Sequence, residues 1–143
     1  MGSNYQGNSF GRDAPLVDLD ELLDWIIHED DDLLVIDKPG WLVCHPSKNG
    51  PLSSLVGACR EYTGLDRLHL ISRLDRETSG VVILAKRPVI ARQLQMAMEK
   101  YQSKKIYLAL LRGEMQNPVR VDALLGRDTQ SLVHIKQTVR QDG

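Results

Sequence analysis

Cysteine is scarce in this 143-residue chain: there are two, Cys44 and Cys59, with no Cys-x-x-Cys spacing between them. That excludes a disulfide framework and a structural zinc site, and leaves two reduced thiols in a protein expected to be cytoplasmic. Aromatic residues are few, at 5% of the sequence, so Leu, Val and Ile must supply most of any core. Long apolar runs are missing. No stretch approaches the roughly 20 residues that a membrane span needs, and the first residues lack the apolar segment of a secretory signal. A Gly-rich phosphate loop and a G-x-S-x-G elbow are also missing. Neither charge sign dominates, since the formal net charge is −1. A balance of that kind neither predicts nor excludes nucleic-acid binding, which depends on where basic residues cluster.

The charges that are present are separated. Residues 18–37 are strongly acidic and include the run Glu29-Asp30-Asp31-Asp32, whereas the chain from Arg60 onward is mostly basic. An acidic edge and a basic face therefore fit within one nearly neutral protein. The length suits one domain. Residues 1–16, rich in Gly, Ser and Asn, read as a flexible tail, and 17–143 as the folded domain.

Asp18 followed by Glu21 has capping-box spacing ahead of Leu22, Leu23 and Trp25, and predicts a short helix or turn. Trp25–His28 and Leu33–Ile36 are β-prone runs around an acidic turn and predict a hairpin. Lys38-Pro39-Gly40 breaks the chain, and Lys38-Pro39 reads better as a strand terminator than as a substrate contact. Trp41–Val43 is expected as a third strand. Leu52, Leu55, Val56 and Cys59 keep a helical period, so a helix is expected from about Ser53 to Tyr62, with Gly64 as its terminator. Gly80–Ala85 reads as a buried strand. Pro88 suits the first turn of a helix continued by Ile90, Leu94, Met96, Ala97 and Tyr101. Further strands are expected at Lys105–Leu111, Val119–Leu124 and His134–Val139. Strands outnumber helices, so the fold class is α/β in the wide sense (α+β): a mixed, largely antiparallel sheet with helices packed on it.

The segment that carries chemistry is Arg73-Leu74-Asp75-Arg76-Glu77-Thr78-Ser79-Gly80. Asp75 lies between two arginines, and a carboxylate within about 4–6 Å of a guanidinium is held ionised at neutral pH. An ionised carboxylate serves as nucleophile or base. Thr78, Ser79 and Gly80 suit a tight turn into the strand that follows, and the flanking positive charge suits a phosphate-bearing substrate. Taken alone, these residues leave two readings standing: a reacting carboxylate, or an Asp–Arg ion pair in a surface turn. Cys44, His45, Cys59 and His69 have neither the spacing nor the number of ligands for a metal site. An aspartyl phosphotransferase loop wants a second carboxylate two residues after the first in a different pattern from Glu77.

The same eight residues resemble the R-L-D-x-x-T-S-G signature of the large-subunit-type (RluA-like) pseudouridine synthases. Glu29–Pro39 is similar to that family's opening hairpin ending in Lys-Pro, Val81–Lys86 to the strand after its catalytic loop, and Lys105-Ile106-Tyr107 to its K-x-Y motif. The likeness spans roughly residues 26–113 in the right order. It implies a pseudouridine-synthase-like fold and isomerisation of uridine to 5-ribosyluracil in ribosomal or transfer RNA, with no metal and no organic cofactor. It implies Asp75 as the catalytic carboxylate, Tyr107 as a ring stacking on the flipped base, and Arg73, Arg76, Thr78 and Lys105 as substrate- or RNA-binding residues. On a strand, Lys105 would face the same side as Tyr107. The chain departs from the family at Ser72, where a His is usual, and in having no T-G-R-x-H-Q-I-R segment; Arg127, Arg140 and His134-Ile135-Lys136 do not match it. The expectation is therefore the N-terminal portion of such an enzyme, with a non-catalytic RNA-binding remnant as the alternative and an unrelated hydrolase using Asp75 as a weaker one.

Overall fold

Asp18 starts the first helix. In the computed structural model, which describes residues 15–45, 49–130 and 137–139, its carboxylate accepts from the Asp20 N–H at 3.0 Å and caps α1 (Leu19–Asp24). The predicted hairpin follows as β1 (Ile26–Glu29) and β2 (Leu33–Lys38), antiparallel, with an irregularity between Ile26 and His28. Its turn is closed by Asp30, whose side chain accepts from the N–H groups of Asp32 and Leu33 at 2.8 and 2.7 Å.

Those bonds, together with the His28 ring, all favour the ionised form. His28 is the largest influence, and the Asp30 carboxyl is held down at about 2. Its folded value lies below the unfolded one, so its contribution to the turn is complete at neutral pH and is lost as the pH falls through about 2. An NMR titration of the Asp30 carboxyl carbon checks this. A midpoint near 2 is expected, and one near 3.8 would contradict it.

A 3-10 turn (Pro51–Ser53) leads into α2 (Leu55–Thr63), which Ser54 caps by accepting from the Gly57 N–H at 3.2 Å. Gly64 closes α2 in the left-handed region, as expected from the sequence. Next come β3 (His69–Leu70), β4 (Gly80–Ala85) and α3 (Pro88–Glu99). The sheet has the order β1-β2-β4-β3, and every neighbouring pair is antiparallel.

Alternation divides the apolar residues between the two sheet faces. Leu34, Ile36, Val82 and Leu84 are fully or nearly fully buried together with Leu22, Leu55, Ala58 and Cys59 from the helices. Burial pushes the Cys59 thiol up to about 12, as suits an inert core cysteine. The opposite face carries a smaller cluster of Ile71, Ala85 and Ala91, with Leu33, Ile83, Ile90, Leu94 and Met98 against it. Trp25 and Trp41 meet edge to face, ring centroids 6.1 Å apart, beside the larger cluster.

α2 lies so close to the 3-10 turn that a Cβ on Gly57 would sit 1.9 Å from the Pro51 carbonyl oxygen. Alanine favours a helix interior over glycine by about 1 kcal/mol, but a clash against backbone outweighs that. Gly57→Ala is expected to lower stability by about 1–3 kcal/mol, read from the midpoint of chemical denaturation.

The chain divides into two units, Met1–Lys105 and Ile106–Gly143. The second contains a small antiparallel pair, β5 (Leu125–Arg127) and β6 (Gln137–Val139). Several expected elements are corrected. Trp41–Val43 is a turn and an extended segment rather than a strand. The last helix ends at Glu99, short of Tyr101, whose φ of 54° is incompatible with its continuation. Lys105–Leu111 is not a strand: no described segment pairs with it, and Ile106, Leu108, Leu110 and Leu111 are exposed. A β-prone run without a ladder partner does not hold strand geometry. Val119–Leu124 is likewise coil, with the strand beginning one residue later at Leu125. Of the expected strand His134–Val139, β6 is the described part; 134–136 lie outside the described residues, as do residues 1–14 of the expected tail. Among the described residues no helix is long and apolar enough to cross a membrane.

Candidate active site

The loop from Ser72 to Ser79 joins β3 to β4, two strands that pair with each other. It reaches β4 at Gly80, whose φ of 121° lies in a region that side chains disfavour. Along the loop burial alternates. Arg73, Asp75, Glu77 and Ser79 are exposed, while Leu74, Arg76 and Thr78 turn partly inward. Asp75 is thus presented to solvent from a segment whose intervening residues are anchored.

The anchors reach the loop's backbone. Lys38, at the end of β2, is fully buried, and its Nζ donates to the carbonyls of Pro39 (2.8 Å), Leu42 (2.8 Å) and Arg76 (3.1 Å). The Cys44 thiol donates to the Leu74 carbonyl at 3.3 Å, and the Thr78 N–H donates to the Asp75 carbonyl at 3.2 Å. The carbonyls on both sides of Asp75 are therefore tied to the segment 38–44. That segment is in turn tied to α2, because the Leu55 and Val56 N–H groups donate to the Val43 and Cys44 carbonyls at 2.8 and 3.1 Å. These are free donors of a helix N-terminus, and they hold the chain that holds the loop.

Lys38 is the site residue that sequence reasoning missed. Reading Lys38-Pro39 as a strand terminator accounts for Pro39 but not for the lysine. The available signal was the two-residue period: Leu34, Ile36 and Lys38 fall on one face of β2, and that face is buried. Opposite Lys38 in the ladder stands Gly80, the end of the loop, which offers no side chain to compete for the space. Burial pushes the Lys38 ammonium below the usual lysine range, opposed by the nearby Cys44, Glu77 and Asp75.

Val43, Cys44 and His45 form one wall of a depression of about 410 Å³, and Arg73, Leu74, Asp75 and Arg76 form the other. Three of the residues singled out from the sequence, Arg73, Asp75 and Arg76, therefore meet at one concavity, and Thr78 braces it through its backbone. Lys105 and Tyr107 are not among its lining residues. Lys105 ends the first unit and Tyr107 belongs to the second. Both are exposed coil, so the expectation that strand alternation aligns them does not hold. Of the two readings the loop leaves open, the ion pair in a surface turn is not seen: the Asp75 carboxylate has no ion pair or side-chain hydrogen bond among the described residues. Among those residues no group of His, Cys, Asp and Glu is placed to hold a metal ion.

A carboxylate with no ion pair among the described residues, in an open depression that two arginines also line, suits a reaction on a phosphate-bearing substrate. A family profile described as RNA pseudouridylate synthase matches residues 32–143, a span that contains the whole of this site. The chain belongs to the RNA pseudouridylate synthase family. Within it, the sequence is 36% identical over 120 residues to a protein of Vibrio vulnificus named ribosomal large subunit pseudouridine synthase C, covering 80% of this chain and 37% of that one. It is 32% identical over 107 residues to ribosomal large subunit pseudouridine synthase D of Neisseria meningitidis, covering 72% and 29%. An uncharacterized RNA pseudouridine synthase of Bacillus subtilis, YjbO, shares 35% over 123 residues, covering 82% and 43%. This chain thus spans well under half the length of these relatives. The solved structure of human RNA pseudouridylate synthase domain containing 1 matches 81% of the chain and 44% of its own with a TM-score of 0.66 at 22% identity, a likeness of fold.

Proposed function

We propose that the protein isomerises uridine to pseudouridine in RNA, with Asp75 as the catalytic carboxylate. The observation that carries this reading is the exposed Asp75, with no ion pair among the described residues, in an arginine-flanked depression of a chain belonging to the pseudouridylate synthase family. The reaction breaks the N1–C1′ glycosidic bond, turns the uracil and rejoins it through C5, so C5 gives up its hydrogen as a proton and N1 takes one up. Nothing is added and nothing is oxidised.

A uridine within an RNA helix must first leave its stack, which costs a few kcal/mol. In this reading Arg73 and Arg76 hold the phosphates on either side of the extruded nucleotide. Lys38, Cys44 and Thr78 fix the backbone around Asp75, so the carboxylate arrives oriented at the sugar or base. Lys105 and Tyr107 are assigned a phosphate contact and a stacking ring by their place in the K-x-Y motif. The substrate class suggested by the relatives' names is large-subunit ribosomal RNA, with transfer RNA as the second candidate, and the site of action is the cytoplasm.

The test is to incubate the protein with a transcript of large-subunit ribosomal RNA, digest it to nucleosides and separate them. Pseudouridine at a discrete, saturable stoichiometry is expected. RNA that is bound but returned with all its uridine intact would leave an RNA-binding module in place of an enzyme.

A further inference from the structure

The depression around Asp75 contains one planar ring, and it is not used by any anchor. Its lining consists of Val43, Cys44, His45, Arg73, Leu74, Asp75 and Arg76. The chemistry of a nucleotide calls for three things at such a site: cations for phosphate, a reacting group, and a flat surface for a base. Arg73 and Arg76 supply the first and Asp75 the second. The other rings of this unit's core, Trp25, Trp41 and Tyr62, pack against the buried cluster below the sheet and do not line the depression.

We infer that His45 is a stacking surface for a base of the RNA substrate. The segment leading into His45 is tied down. The Val43 and Cys44 carbonyls accept from the first N–H groups of α2, and the Cys44 side chain is buried and donates across to Leu74. In this extended segment Leu42 and Cys44 point inward, so the intervening register leaves His45 exposed. Its ring makes no hydrogen bond or ion pair among the described residues, so its faces are not committed to holding the fold. The groups that face it across the depression are Arg73, Asp75 and Arg76. An imidazole face can stack on an unpaired base.

This inference rests on the RNA-modifying reading of the same depression, and the experiment separates the two. Binding of the large-subunit ribosomal RNA transcript is measured for wild type, His45→Ala, His45→Phe, His45→Gln and Arg73→Ala over a range of salt, alongside pseudouridine formation. Loss of one base–ring contact is expected to weaken binding about 5- to 100-fold in His45→Ala. Phe restores it and Gln does not. The slope of log affinity against log salt is unchanged by His45→Ala, because stacking releases no counterion, and falls by about 0.7–0.9 in Arg73→Ala. Unchanged affinity in His45→Ala overturns the inference. So does rescue by Gln with a reduced salt slope, which would make His45 a phosphate contact, and so does a wild type that fails to bind the transcript. If wild type binds and the His45 pattern appears without any pseudouridine, the enzymatic reading fails and the stacking contact stands.

Discussion

Asp75→Asn is expected to leave folding and RNA affinity close to wild type while reducing pseudouridine formation by at least about 10³-fold, the range in which removal of a positioned base or nucleophile falls. The fold is indifferent to this change for a structural reason. The Asp75 side chain is exposed and has no hydrogen bond or ion pair among the described residues, while its carbonyl, which receives the Thr78 N–H, is unaltered by the substitution. A surface carboxylate of that kind contributes little to stability. The effect on rate is large because an amide has neither the negative charge nor the lone-pair basicity that the reaction requires. Melting temperature, transcript affinity and single-turnover rate, measured on the same preparation, separate the two consequences.

Lys38→Met is expected to do the opposite: to destabilise the fold first, and activity through it. Methionine fills much of the same volume, so the change isolates the ammonium. Three carbonyls, those of Pro39, Leu42 and Arg76, lose their donor at a buried or half-buried position. An unmet buried acceptor costs about 1–3 kcal/mol, and relief from burying a charge returns part of the sum, so a net loss of about 2–4 kcal/mol is expected. Chemical denaturation gives the stability, and hydrogen exchange at Thr78, whose N–H closes the Asp75 turn, reports whether the loop loosens before the rest of the unit. A stability within 0.5 kcal/mol of wild type, on the scale of ordinary surface substitutions at about ±0.5 kcal/mol, would contradict the anchoring role. The burial-lowered pKa of Lys38 has a defined consequence. The folded state binds fewer protons than the unfolded state in the alkaline window between the two values, so the penalty for burying the charge is relieved as pH rises through the folded value.

The parts of the fold legible in the sequence were those with local causes. The hairpin followed from two β-prone runs around an acidic turn, α2 from the period of Leu55, Val56 and Cys59, and β4 from Gly80–Ala85. Asp75 and its arginines were legible because the loop is short and contiguous, so its residues cannot lie far apart. What was not legible depends on distant segments. Lys38 is recognisable as an anchor only once Arg76, 38 residues later, is known to lie beside it. His45 gained meaning in the same way, by facing Arg73 and Asp75 across the depression. Trp41–Val43 has strand propensity, but its Val43 carbonyl accepts from α2 and its Leu42 carbonyl from the Lys38 ammonium instead of from a ladder, and tertiary pairing overrides propensity. Lys105–Leu111 failed for the complementary reason, since propensity without a partner does not make a strand.

The most direct measurement of the central claim uses large-subunit ribosomal RNA transcribed with tritium at uridine C5. Moving the glycosidic bond to C5 must expel that hydrogen, whereas binding alone cannot. Wild type is expected to release tritium to water in a fixed ratio to pseudouridine formed, and Asp75→Asn to release essentially none while still binding. Release at equal rates by wild type and Asp75→Asn would contradict the role of Asp75, and tight binding with no release from wild type would contradict the enzyme itself.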